Sequence, residues 1–242
     1  GVYSPEVPRG PDVCVLPSEA REFEREPTSP MQQVFESFAR KQWGLEADDL
    51  RAWDLRWCLT GDYGFRVVIP VRMGGRAVGF QARTVRSVEP KYLTSSWTQR
   101  ADGRPAECGR PAASMLFNVD SAAPEGEVLL VEGPGDVMGW HRGGRGRVPP
   151  ALGILGVSLT PERLAAVAAL RPERVLVGLD DEPAAQARAL SHVEDLRAWG
   201  VDAVRVRWSG GKDAGSGATP VVVADGEGVG AAVRARLGVV VV

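Results

Sequence analysis

The sequence predicts an α/β fold: a small mixed α+β N-terminal subdomain followed by a Rossmann-like subdomain built on a parallel sheet. Three observations carry this reading. From residue 127 onward, short apolar runs alternate with helical periodicities, the pattern of strands joined by crossover helices. Ahead of that region, a hairpin signal follows two helical stretches. Two of the later apolar runs end in acids, which places chemistry where open parallel sheets bind their ligands. At 242 residues the chain suits one large domain or two small ones, and 44% hydrophobic content is enough to bury a core.

Residues 1–30 are rich in proline and charge and read as an extended arm. From Met31 to Trp43 the apolar positions Val34, Phe35, Phe38 and Trp43 follow helical spacing, and Gly44 ends the helix. Leu45–Trp57 reads as a second short helix. Phe65–Val71 and Arg76–Val85 are two apolar runs around Met73-Gly74-Gly75, a hairpin. Residues 94–126 read as loop with a short element at Met115–Val119.

The second half opens with a buried strand, Glu127–Val131, and a helix starting at Asp136–His141. Ala151–Leu155 is the next strand, and Thr160-Pro161-Glu162 caps a helix running to Leu170. Arg174–Leu179 is a third strand. Pro183–Trp199 is a long helix with Leu190, Val193 and Leu196 on its apolar side and Gly200 closing it. Val201–Trp208 completes the set. The expected division is an arm over 1–30, a first subdomain over 31–126, the parallel-sheet subdomain over 127–215 and a C-terminal segment over 216–242.

A net charge of −2 announces no global positive field for nucleic acid. The charges are nevertheless segregated. Between Gly61 and Arg110 stand Arg66, Arg72, Arg76, Arg83, Arg86, Lys91, Arg100, Arg104 and Arg110, against Asp62, Glu89, Asp102 and Glu107. A solvated arginine-rich face and a phosphate-binding surface both fit that run. Cys14, Cys58 and Cys108 are far apart in sequence, no CxxC pair exists, and the histidines are His141 and His192. No zinc site and no disulfide framework are expected, consistent with a reducing cytoplasm. No apolar run is long enough to span a bilayer, so no membrane association is expected. The chain opens with Gly1-Val2 and not Met, which suggests a processed end or an excised domain, with further modules expected in a longer parent.

Val128-Leu129-Leu130-Val131 runs into Glu132, and Val175-Leu176-Val177-Gly178-Leu179 runs into Asp180-Asp181-Glu182. If the two strands are neighbours, their carboxylates converge, and such a cluster repels itself unless a cation or a proton intervenes. Hard oxygen donors of this kind suit Mg²⁺ or Mn²⁺. Acids at helix N-termini are also favoured on dipole grounds, so each strand end taken alone admits a simple capping role.

Glu132-Gly133-Pro134-Gly135-Asp136 resembles the E-G-x-x-D motif of TOPRIM domains, shared by bacterial DnaG-type primases, topoisomerases and related nucleases. Asp180-Asp181-Glu182-Pro183-Ala184-Ala185 is similar to their D-x-D-x-A-G segment, with Glu182 in place of the second Asp and Ala185 in place of Gly. Gly211-Lys212-Asp213 resembles the G-K-D stretch of primases, which usually carry another acid where this chain has Gly215. Upstream, Arg66–Arg72, Gly75–Arg83 and Lys91–Ser95 resemble the primase pattern R-x-x-F-P-I-R, G-R-V-x-G-F-x-x-R and K-Y-x-N-S, with Thr94 where Asn is usual. Met115-Leu116-Phe117-Asn118 resembles the segment that follows. The resemblance covers roughly residues 35–215 in order.

That resemblance implies a TOPRIM subdomain and the catalytic core of a DNA primase: a nucleotidyltransferase that makes RNA primers on single-stranded DNA during DNA replication. Its implied reactants are NTPs and its implied cofactor is Mg²⁺ or Mn²⁺ in a two-metal arrangement. A replicative helicase is an implied partner and the cytoplasm the implied setting. Glu132, Asp180 and Glu182 are the implied catalytic residues; Glu132, Asp180, Glu182, Asp136 and Asp213 are the implied metal ligands, the last two in supporting roles. Arg83, Lys91, Arg72, Arg76 and Lys212 are the implied nucleic-acid and nucleotide contacts. Alternatives are a primase-like replication factor whose site has decayed to DNA binding, or another TOPRIM enzyme, a nuclease or topoisomerase. A dinucleotide-binding reading of Gly133-x-Gly135-x-x-x-Gly139 is disfavoured by Glu132 beside the pyrophosphate position.

Overall fold

The computed structural model describes residues 14–27, 29–97, 106–142, 149–216 and 219–222. Arg100, Asp102, Arg104, the first 13 residues of the expected arm and the end of the chain from 223 lie outside the described residues. The chain forms two compact units, one of residues 1–41 and 46–115, the other of residues 42–45 and 116–242.

The first unit is built on an antiparallel sheet of β1 (Arg21–Glu22), β2 (Arg56–Cys58), β3 (Arg66–Met73), β4 (Arg76–Thr84) and β5 (Tyr92–Thr94), in that spatial order. The expected hairpin forms the centre. Gly74 and Gly75 both take positive φ (62° and 74°), the geometry of a two-residue turn whose twist matches the flanking strands. Val67, Val68, Ile69, Val71, Phe80 and Ala82 are buried, so β3 and β4 supply the core rather than a half-solvated face. A register shift falls between Val71 and Arg72, beside Pro70, which has no N–H for the ladder. Most of α1 (Pro30–Trp43) belongs to this unit.

Two expectations are corrected here. The second helix, α2 (Ala47–Ala52), is shorter than expected, and Arg56–Cys58 is strand. Asp54 takes φ 53°, which ends helical winding, and Trp57 is buried with its ring 5.2 Å from Phe35 and its indole N–H donating to Glu22 O at 3.1 Å. Burial of that large ring against the sheet outweighs local helix propensity. Part of the expected arm is likewise sheet, since Arg21 and Glu22 pair with Trp57 and Arg56.

The second unit carries a five-stranded sheet in the order β10-β9-β8-β6-β7. β6 (Glu127–Val131), β7 (Ala151–Gly153), β8 (Arg174–Val177) and β9 (Ala203–Ser209) are mutually parallel. β10 (Thr219–Val222) adds an antiparallel edge, so this sheet runs past the expected boundary at residue 215. On the other edge Phe117 bridges Gly153, so this unit also begins before residue 127. The connecting helices are α3 (Pro134–Trp140), α4 (Pro161–Ala169) and α5 (Pro183–Ala198). Thr160 caps α4 by accepting from Arg163 N–H at 3.3 Å, as the sequence indicates. On α5, Leu190 is exposed, contrary to expectation; Ala185, Ala189, His192, Val193 and Leu196 form the buried face.

This topology sets the site. β6 leads to β7 on one side, and β8 leads to β9 on the other, so β6 and β8 flank the point where strand order reverses. Right-handed crossovers then put α3 on one face and α4 and α5 on the opposite face, opening a crevice at the carboxyl ends of β6 and β8.

Candidate metal centre and nucleic-acid-binding residues

Three carboxylates meet in that crevice. Asp136 stands in the first turn of α3, Asp180 follows β8, and Asp213 lies in the turn after β9; one carboxylate oxygen from each lies within 4.8 Å of the others. Backbone N–H groups hold the carboxylates of Asp136 and Asp213, and the Asp180 segment is tied down on both sides. Gly133 N–H donates to Asp136 Oδ2 at 2.9 Å, closing the start of α3. Ser216 N–H donates to Asp213 Oδ1 at 2.7 Å, and Asp181 N–H donates to Lys212 O at 2.8 Å, tying the Asp213 turn to the end of β8. Gln186 of α5 donates to Asp180 O at 3.2 Å.

The electrostatics match the geometry. Burial pushes the Asp136 carboxyl up to about 7, with the charges of Asp180, Asp213 and Glu132 adding to the effect against the Gly133 hydrogen bond. Asp180 is also raised, first by burial and then by Glu132, with Lys212 opposing. Proton affinity raised this way marks a site short of positive charge. A hard divalent cation fits the donor set, because three converging carboxylate oxygens supply oxygen ligands and the missing charge together.

The other residues singled out in the sequence are placed around this triad. Glu132 follows β6 and its charge acts on both Asp136 and Asp180, but its Oε1 is engaged by Arg188 Nη2 at 3.3 Å. Lys212 Nζ lies 3.0 Å from Asp213 and 3.7 Å from Asp180. Glu182 is exposed at the N-terminus of α5, close enough for its charge to reach Asp180 but outside the triad. Asp181 turns away to Arg207, at 2.7 Å. The converging carboxylates are therefore Asp136, Asp180 and Asp213, with Glu182 beside them. Arg188 belongs to no motif. Its only sequence signal is its phase, three residues after Ala185 and four before His192, on the inward face of α5.

In the first unit the basic residues divide by environment. Arg66 is buried and donates to Ala82 O, Lys91 O and Pro90 O at 3.1 Å, so it fixes the chain around Lys91. Arg83 lies between aromatic rings, 5.1 Å from the Tyr92 centroid and 5.9 Å from that of Phe38. Lys91 is exposed, as is Arg76 at the start of β4. Arg72 pairs with Asp54, which also holds Arg56. Arg83 and Lys91 are therefore better placed for a ligand than Arg72. Asn118 and Phe117, from the last upstream motif, belong to the second unit: Asn118 donates to Ala151 O at 2.9 Å.

The chain resembles known DNA primases in sequence and in fold. It is 31% identical over 159 residues to the DNA primase of Synechococcus elongatus, covering 62% of this chain and 21% of the relative. It is 29% identical over 136 residues to that of Thermotoga maritima, covering 54% and 22%. The chain thus spans about a fifth of the length of the curated relatives it matches. The structure of the DnaG primase catalytic domain bound to single-stranded DNA superposes with a TM-score of 0.61 at 18% identity, covering 78% of this chain and 68% of that one. The E. coli primase catalytic core gives 0.59 at 20%, covering 78% and 69%. The primase fragment of the bacteriophage T7 primase-helicase gives 0.51 at 15%, covering 72% and 66%. No family model matches the chain. In sequence the chain is related to bacterial DNA primases, and in fold it is similar to the catalytic core of DnaG primases.

Proposed function

We propose that the chain is the polymerising core of a DNA primase, which synthesises RNA primers on a single-stranded DNA template. The observation that carries the reading is the triad Asp136, Asp180 and Asp213 at the strand-order reversal, in a chain related to DNA primases. The fold neighbour bound to single-stranded DNA supports the choice of template, and the phage primase-helicase fragment supports a replicative helicase as partner. The setting is the cytoplasm; among the described residues no helix is long and apolar enough to cross a membrane. In this reading the primase-type basic subdomain is the first unit and the TOPRIM subdomain the second.

The reaction joins a primer 3′-hydroxyl to the α-phosphorus of an NTP and releases pyrophosphate. Asp136, Asp180 and Asp213 would hold Mg²⁺ or Mn²⁺, with Glu182 available to a second ion. Bound there, a divalent metal would supply positive charge to the triphosphate and lower the pKa of the attacking hydroxyl. Glu132 is the base that receives the hydroxyl proton at a carboxylate oxygen. Lys212 places a cation beside the phosphates, and Arg83 and Lys91, with weaker help from Arg72 and Arg76, hold template phosphate and bases. Positioning and charge neutralisation supply most of the catalysis, as in other phosphoryl transfers.

The test is incorporation of labelled NTPs on single-stranded DNA with Mg²⁺ or Mn²⁺. Short RNA products are expected from the wild type and none from Asp180→Ala. Absence of wild-type product, or undiminished product from the variant, overturns the proposal. DNA binding without metal-dependent product would favour the decayed-site reading, which the intact aspartate triad argues against.

A further inference from the structure

The helix α5 holds Glu132 directly through its side chain and is linked to its main chain indirectly. Arg188 Nη2 reaches Glu132 Oε1 at 3.3 Å. One turn further on, on the same helix face, His192 is buried and its Nε2 lies 3.2 Å from Val157 O. Val157 follows Gly156, whose N–H donates to Glu132 O at 3.2 Å. Side chain and main chain of Glu132 are therefore both referred to α5. The same helix is latched to β8 by Gln186, which donates to Leu179 O and Asp180 O at 3.5 and 3.2 Å. The Arg188 Nε is buried without a hydrogen-bond partner, so within the described residues the guanidinium has Glu132 as its acidic partner.

Resting on the proposed metal site, we infer that Arg188 is a positioning residue that holds Glu132 out of the metal-binding triad, reserving it as the base. Three facts converge. The charge of Glu132 acts on Asp136 and Asp180, yet its oxygens are not among the mutually close ligand atoms. Its side chain is 23% exposed and that of Arg188 35%, so their attraction is only partly screened. Neutral substitution of Arg188 would leave a fourth carboxylate free to turn onto the cation. The acidic cluster would then bind a divalent ion more tightly while losing its proton acceptor.

The experiment measures Mn²⁺ affinity by electron paramagnetic resonance, in the absence of DNA and nucleotide, for wild type, Arg188→Met, Arg188→Lys and Arg174→Met. Arg174 pairs with Asp202 at the opposite end of β8 and controls for loss of one positive charge. Arg188→Met is expected to tighten Mn²⁺ on the order of three- to tenfold, the effect of one nearby charge in a partly solvated site. Arg188→Lys, which keeps the charge, is expected to remain near wild type, and Arg174→Met to be unchanged. The tightening is expected to shrink when Glu132→Gln is already present, because the effect runs through that carboxylate. In primer synthesis, Arg188→Met lowers kcat more than it alters KM for NTP. Unchanged or weaker Mn²⁺ binding in Arg188→Met overturns the inference. If that variant does not fold by circular dichroism, Arg188→Gln, which also removes the charge, takes its place under the same criteria. A wild type that binds Mn²⁺ but makes no primer refutes the polymerase reading and leaves this inference to be judged on binding alone.

Discussion

Asp136 carries the clearest pH signature. Its folded-state value of about 7 lies above the ordinary 3.8, so its contribution to stability is full below about pH 4, where the group is protonated in both states. That contribution is lost as the pH rises through 7. Metal-free protein is therefore expected to melt at falling temperature across this window, and Asp136→Asn to flatten the dependence. Metal binding must displace the same proton. Mn²⁺ affinity should accordingly rise by up to about tenfold per pH unit below 7 and level off above it, measured by titration at pH 6, 7 and 8. A pH-independent affinity would show that Asp136 is not a ligand. At this scale the sequence displayed Glu132 and Asp180 plainly, because each ends an apolar run. It could not rank Asp136 and Asp213 above Glu182, since that order depends on which oxygens converge.

Among the elements, α3 and the turn after β9 are the decisive pair. A Cβ on Gly139 would stand 2.5 Å from Gly215 Cα and 2.8 Å from its carbonyl oxygen, both backbone. Gly139→Ala gains about 1 kcal/mol of helix propensity but must force two main chains apart, an overpacking cost of about 1–3 kcal/mol. The overpacking is expected to win. The variant should melt earlier and bind Mn²⁺ more weakly, because the displaced turn carries Asp213. Unchanged stability and metal affinity would show that the turn yields freely. The same contact gives Gly215 a physical role, since its small size lets α3 approach. Where primases usually carry an acid, this chain has a residue that packs against the Asp136 backbone. Elements set by local pattern, such as the Gly74-Gly75 hairpin and the Thr160-capped helix, were legible in sequence. Strand β2 was not, because Trp57 is drawn into the sheet by partners distant in sequence, Phe35 and Glu22.

For the whole molecule, a net charge of −2 requires any nucleic-acid affinity to be local. Binding of single-stranded DNA should therefore weaken only modestly with salt. The slope of log affinity against log salt is expected to fall by about 0.7 for each phosphate contact removed. Lys91→Ala should remove one such unit. Arg83→Ala should cost more affinity than its slope change implies, because the stacked guanidinium also contributes a planar face. Fluorescence anisotropy at several salt concentrations checks both, and equal slopes for wild type and Lys91→Ala would exclude a phosphate contact at that lysine.

From the sequence alone came the order of β6 to β9 and the helices between them, the positions of the acid-ended strands and the ordered motifs that resemble those of primases. Apolar period and turn chemistry are local properties, and they are written in consecutive residues. Only the tertiary structure decided that β6 and β8 are neighbours and that Asp136, Asp180 and Asp213 share one volume. It also decided that Glu132 answers to Arg188. Those outcomes depend on sheet order and helix phase, which are settled by packing between residues far apart in the chain.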